Sequence, residues 1–152
     1  MRKIIEGYDR VTIALAGKIG EGISLLFLRV VFAGIFWRSG RTKIEEGSWI
    51  TISDTAKFLF SEEYSGVPLP PELAAVAATT AEHLFPVLLL IGLATRLSAA
   101  ALLVMTLVIQ FFVYPDAWWT VHSLWVAMAL VLIVRGGGQL SVDALLTRGR
   151  RE

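Results

Sequence analysis

Four stretches of this chain, Gly22 to Trp37, Leu73 to Ala94, Leu97 to Val113 and Trp118 to Val134, are apolar almost without a break, and this limits the possible folds more than any other feature. At a rise of about 1.5 Å per residue, the second crosses a hydrocarbon layer of roughly 30 Å outright, and the others need a few flanking residues to do so. Of the 152 residues, 55% are hydrophobic and the mean hydropathy is +0.66. A water-soluble domain this small has no interior large enough to hide that surface. The expected fold is therefore an all-α membrane protein: one four-transmembrane-helix bundle over 1–152, with helices near 20–38, 72–94, 96–113 and 118–135.

The boundaries follow from local chemistry. Thr95, Arg96 and Ser98 are almost the only polar residues between the second and third stretches, so these two form a tight antiparallel hairpin. Pro115, between Tyr114 and Asp116, ends the third because its ring cannot continue the hydrogen-bond ladder. The basic start with Arg2, Lys3, Arg10 and Lys18 runs on into the first apolar stretch without the small-residue site of a cleaved signal, which predicts a retained first helix. Basic residues stay in the cytoplasm. With both termini cytoplasmic, that side holds Arg2, Lys3, Arg10, Lys18, Arg96, Arg135, Arg148, Arg150 and Arg151, against Arg38, Arg41, Lys43 and Lys57 outside. Trp37, Trp49, Tyr114, Trp118 and Trp119 gather at the outer interface, where amphipathic rings are at home.

The outer connection, 39–71, is too long for a passive loop. Ser53 or Asp54 can cap a short helix through Phe60, with Ala56, Phe58, Leu59 and Phe60 on the membrane surface. Beyond the last crossing, Gly136, Gly137 and Gly138 break the helix, and Ser141 can cap a final one over 141–148.

Fourteen basic and 13 acidic residues nearly cancel and form no basic stripe, which sets nucleic acid aside as a partner. With no cysteine, the chain has no disulfide or thiolate metal site, so an electron carrier would come from a partner or a diffusible cofactor. Two histidines are too few for a metal site of three convergent ligands.

Ionisable groups inside a bilayer cost about 2.5 to 3.5 kcal/mol each even on lenient insertion scales, so they face the interior and find partners. Arg29 lies in the first helix, and Glu82 and His83 in the second. Counted from Trp37 and Glu72, Arg29 and Glu82 reach depths of roughly 12 and 15 Å, which predicts a buried pair. Such a pair either fixes helix register or serves a site directly. Gln110 and His122 each lie about one turn below the outer interface and extend the candidate polar site, with His122 as a carbonyl-bonded histidine or a proton relay. His83 projects about 100° away from Glu82. Pro86 predicts a kink beside the acid, and Gly34 and Ala33 suit close helix approach. Arg38 and Lys43 stand at the outer mouth.

Three segments carry a resemblance: LRVVFAGIFWRSGRTK around Arg29 to Lys43, AEHLFPVLLLIGLATRLSAAALLVMTLVIQ from Ala81 to Gln110, and RGGGQLSVDALL from Arg135 to Leu146. Together they resemble the DoxX family of bacterial four-helix membrane proteins. That resemblance implies a multi-pass protein of the bacterial inner membrane with a role in redox or stress physiology, some members being subunits of thiosulfate:quinone oxidoreductases. Gly137 stands where many relatives carry proline.

Three functions follow as alternatives. The first is an accessory or quinone-interacting subunit of a membrane oxidoreductase, with Arg29, Glu82, Gln110 and His122 around a quinone-like head group and no covalently bound cofactor. The second is a small transporter, which lacks the expected inverted repeat. The third is a structural partner that docks a periplasmic protein through the outer connection, or a homo-oligomer.

Overall fold

The computed structural model describes residues 2–148; Met1 and 149–152, including Arg150 and Arg151 of the basic tally, lie outside the described residues. Seven α-helices follow in order: α1 (Arg2–Ala16), α2 (Lys18–Arg41), α3 (Asp54–Glu62), α4 (Pro71–Ile91), α5 (Thr95–Phe112), α6 (Ser123–Arg135) and α7 (Val142–Arg148). A 3₁₀ turn at Pro115–Ala117 and a π turn at Trp118–His122 lead into α6. Four spans are long and apolar enough to cross a membrane: α2, α4, α5 and the composite Pro115–Arg135. The all-α four-span bundle is thus as expected.

Each span buries one stripe. On α2 the buried positions are Gly22, Leu25, Arg29, Phe32, Ala33, Phe36 and Gly40, and on α5 they are Thr95, Ser98, Ala99, Leu102, Thr106 and Gln110. This three-and-four spacing keeps one helical face turned inward. Phe32, Phe36, Leu89, Leu102, Ala129 and Leu132 form the core, while Phe27, Val87, Val104 and Val131 point outward. Phe36 meets Phe32 and Trp125 edge-on at 5.3 and 5.4 Å, contacts worth about 0.5–1.5 kcal/mol each beyond the area they bury.

The starting segment is not continuous with the first span, because the chain bends at Gly17 between α1 and α2. A Cβ on Gly20 would strike the Leu15 carbonyl at 2.2 Å, so the bend depends on that glycine. Gly34 borders open space and brings no helices together. Gly40 has that role instead, since a Cβ there would lie 2.7 Å from the His83 ring and 3.0 Å from Glu82 Cβ. The α4 helix runs unbroken through Pro86.

The long connection is structured, as its length predicts. An Ile44–Ile52 bridge closes a small hairpin, and Ser53 caps α3 by accepting from Ala56 N–H. The expected membrane-surface face of α3 is only partly so: Phe58 is exposed, but Ala56 and Phe60 are buried, Phe60 packing on Ala74 and Ala75 of α4. Helix α3 therefore roofs one end of the bundle.

Candidate functional site

The register between α2 and α4 decides which polar groups meet. The Ser39 hydroxyl donates to Glu82 Oε1 at 3.0 Å, which sets the end of α2 beside the middle of α4. Lys43, at the base of the hairpin, reaches back along α2 to the same carboxylate, 2.8 Å from Oε2 and 3.1 Å from Oε1, and also donates to the Ser39 hydroxyl at 3.0 Å. Glu82 is 2% exposed and Lys43 14%. Burying a carboxylate this far from water is costly unless it is paired and hydrogen-bonded, and here an ammonium and a hydroxyl both reach it.

The expected Arg29–Glu82 pair does not form. Ten residues along α2 from Ser39, Arg29 lies about 15 Å farther from the Glu82 level by helical rise. Its Nη1 donates to the carbonyls of Leu89 and Leu90 at 3.3 and 3.2 Å, and its Nη2 to the carbonyl of Leu140. Arg29 thus caps the end of α4 and ties it to the glycine-rich segment after α6. Asp143 complements it across the turn, its two oxygens each accepting at 2.8 Å from Ala94 N–H and Thr95 N–H at the start of α5. This clamp holds the terminal end of the bundle and takes Arg29 out of the candidate site.

A second polar group stands on the other side of the bundle. The π turn, closed by Ser123 N–H bonding to the Trp118 carbonyl, carries His122 inward, where it is 2% exposed. Gln110 Nε2 donates to the Pro115 carbonyl at 2.6 Å, which leaves its Oε1 facing His122 Nδ1 at 2.7 Å. An amide oxygen only accepts, so Nδ1 carries the proton and Nε2 of the neutral ring is left as an acceptor.

Between these two groups lies a cavity of about 500 Å³, bordered by Ser39, Lys43 and Glu82 on one side and by His122 and Trp125 on the other. The wall between is apolar. Ala74, Ala77, Ala78 and Ala81 of α4 supply small side chains opposite Val104 and Val108 of α5, and with Ala77 and Val104 exposed the cavity opens between these helices toward the lipid face. Phe60 and Tyr64 roof it. Tyr114 ties the roof down, donating to Glu63 Oε1 at 2.7 Å and lying 3.4 Å from the Tyr64 hydroxyl. Those bonds push the Tyr114 phenol well above its ordinary pKa.

Family comparison agrees with this architecture. The DoxX family model matches residues 24–115, more than half of the chain. This chain belongs to the DoxX family. It is also similar to a protein of Haemophilus influenzae described as an uncharacterized protein, at 32% identity over 138 residues, covering 86% of this chain and 87% of that one. No solved structure matches.

Of the residues expected at the site of this DoxX protein, Glu82, Lys43 and His122 border the cavity, and Gln110 stands behind His122 as its orienting partner. His83 turns away, bonding the Thr79 carbonyl through Nδ1 at 2.7 Å and meeting the Trp37 ring at 5.0 Å. Arg38 is exposed at the end of α2. Ser39, Tyr64, Tyr114 and Asp143 were not anticipated. Ser39 carried one usable signal, standing four residues before Lys43 and so on the same helical face.

Proposed function

We propose that this DoxX protein is a quinone-interacting accessory subunit of a membrane oxidoreductase or of a redox and stress-response complex, in the bacterial inner membrane with both termini cytoplasmic. The carrying observation is the cavity itself: an apolar chamber of about 500 Å³ open toward lipid, with the Lys43–Glu82 ion pair at one side and a tautomer-fixed histidine at the other. Binding sites for lipophilic molecules have this composition, mostly apolar wall with a few convergent polar groups.

The residues present fit a quinone-like head group. The Lys43 ammonium, held on Glu82 and Ser39, supplies positive charge beside a carbonyl oxygen and an N–H that can be turned from Ser39 to it, and His122 supplies an acceptor for a hydroxyl. The groove between α4 and α5 suits an isoprenoid tail, because alanines on one wall leave room beside Val104 and Val108. A bound quinone would contribute two-electron, two-proton chemistry; this chain contributes binding, orientation and exclusion of water. Electrons would enter through a partner, as the absence of cysteine implies.

The test is gentle purification from the native membrane with mass spectrometry of co-purifying lipids and proteins, followed by titration with a short-chain quinone read by tryptophan fluorescence, since Trp125 borders the cavity. A co-purifying quinone and saturable quenching that weakens in Glu82→Gln are the expected results. Quenching that never saturates, with no quinone retained, would remove this reading.

A further inference from the structure

Helix α1 takes no part in the core of the bundle. Every described side chain along it is exposed, and none joins either core cluster. Its apolar residues are nevertheless ordered. Ile5, Tyr8, Thr12 and Leu15 follow at spacings of three and four and so share one face, while Asp9 falls on another with Ile13 beside it. We infer that the Ile5–Leu15 face docks on lipid, so that α1 lies in the head-group layer of the leaflet where α2 begins.

The occupant follows from where α1 is attached. A single residue, Gly17, separates it from α2, the span that starts at Lys18. The last turn of α1 is therefore at the level of the head groups, and Ile19, Ile23 and Phe27, exposed on α2, carry apolar surface straight on into the span. Gly17 is extended, with ψ of 166°, so α1 does not continue the axis of α2. The Leu15 carbonyl turns instead onto Gly20, where a Cβ would come within 2.2 Å of its oxygen. A bend at this level directs α1 along the surface rather than out into water.

Charge and polarity agree with a lipid surface. The sequence through Lys18 carries Arg2, Lys3, Arg10 and Lys18 against Glu6 and Asp9, an excess of positive charge of the kind that anionic head groups attract. The Thr12 hydroxyl donates to the Tyr8 carbonyl at 2.8 Å, so Thr12 brings no unpaired donor to the docking face. Tyr8 is an aromatic ring with one polar edge, the type of side chain that settles at a membrane boundary. A second copy or another protein would have to displace lipid that already lines the adjoining span.

The chain has no cysteine, so single-cysteine variants of the full chain take one nitroxide label each, in vesicles of phosphatidylethanolamine and phosphatidylglycerol. Access of the label to oxygen, which concentrates in lipid, and to a nickel chelate, which stays in water, reads its depth. Labels at Ile5→Cys, Tyr8→Cys and Leu15→Cys should favour oxygen and lie about 5–10 Å into the boundary between head groups and acyl chains. Labels at Asp9→Cys and Ile13→Cys should favour nickel, and Ile13 makes this a test of geometry rather than of hydrophobicity. Tyr8→Asp added to Ile5→Cys should shift the Ile5 label toward nickel. All five positions are exposed and outside the core, so the bundle folds in each variant. Equal nickel access on both faces would put α1 in water, and low access to both reagents at Ile5, Tyr8 and Leu15 would put protein on this face. Either result overturns the proposal, as does an Ile5 label that keeps its lipid depth in the presence of Tyr8→Asp.

Discussion

Lys43 and Glu82, 39 residues apart in the chain, meet at 2.8 Å with Ser39 bonded to both. The ammonium and the carboxylate are each held in place by the other's charge, so neither can be removed alone without leaving an unpaired buried ion. Glu82→Gln is expected to destabilise the protein by about 3 kcal/mol, and the double variant Glu82→Gln with Lys43→Met should recover a large part of that loss. Thermal unfolding of the four proteins of this cycle is the measurement. Additive losses in the double variant would mean that the pair contributes no coupling.

The four crossings were legible because apolar length is a local property of the sequence, and the Ser53 and Ser141 caps were legible because a cap needs only a serine three residues before an amide it can reach. The partner of Glu82 was not. Depths counted from Trp37 and Glu72 assume that both helices begin at one level, whereas α2 continues to Arg41 and the first two turns of α4 stand beside α3, with Phe60 covering Ala74 and Ala75. That offset turns an apparent Arg29–Glu82 pair into two separate contacts. Lys43 was visible as a basic residue at the mouth, but its partner depends on a hairpin closed by the Ile44–Ile52 bridge, a tertiary feature with no periodic signature. Asp143 escaped notice because a side chain that caps a helix 48 residues earlier obeys no spacing rule.

Gln110 fixes the tautomer of His122, and that should be visible spectroscopically. In wild type the imidazole is expected as the Nδ1–H form, and Gln110→Leu should release it toward the Nε2–H form, as read from ¹⁵N shifts of labelled histidine. Loss of an oriented acceptor should also weaken short-chain quinone binding about tenfold, the worth of roughly one hydrogen bond in a dry site. If the tautomer stays unchanged, the Pro115–Gln110–His122 chain does not orient the ring.

Tyr114 holds the roof of the cavity through its hydrogen bonds to Tyr64 and Glu63, and both raise its pKa in the folded protein. A phenol whose folded pKa lies above its unfolded value of about 10 contributes stability that is complete below pH 10 and is lost as pH rises through the folded value. The ring is 45% exposed, so solvent screens much of this effect. Of the three tyrosines in the chain, Tyr114 should ionise last in an absorbance titration, and Tyr114→Phe should delete the highest-pH component. At neutral pH the same variant should speed amide exchange through α3, since its tie to Glu63 is gone. Unchanged exchange there would show that Phe60 packing alone keeps the roof in place.

Arg29 and Asp143 secure the terminal end from opposite sides of one turn: the guanidinium takes carbonyls at the end of α4, and the carboxylate takes amides at the start of α5. Gly92, at φ +73°, lets them approach, because a Cβ there would come within 2.3 Å of Arg29 Nη1 and 2.5 Å of Ser141 Cβ. Asp143→Ala should cost about 1–2 kcal/mol, as loss of a cap does. Arg29→Met should cost more, about 3 kcal/mol, because it strips charged donors from three buried or half-buried carbonyls at once. Both should accelerate amide exchange around Gly92 and Ser141 while leaving quinone binding near wild type, since neither residue borders that cavity. A stably folded Arg29→Met protein that no longer binds quinone would place Arg29 back among the ligand-binding groups and contradict the division of labour between the two ends of the bundle.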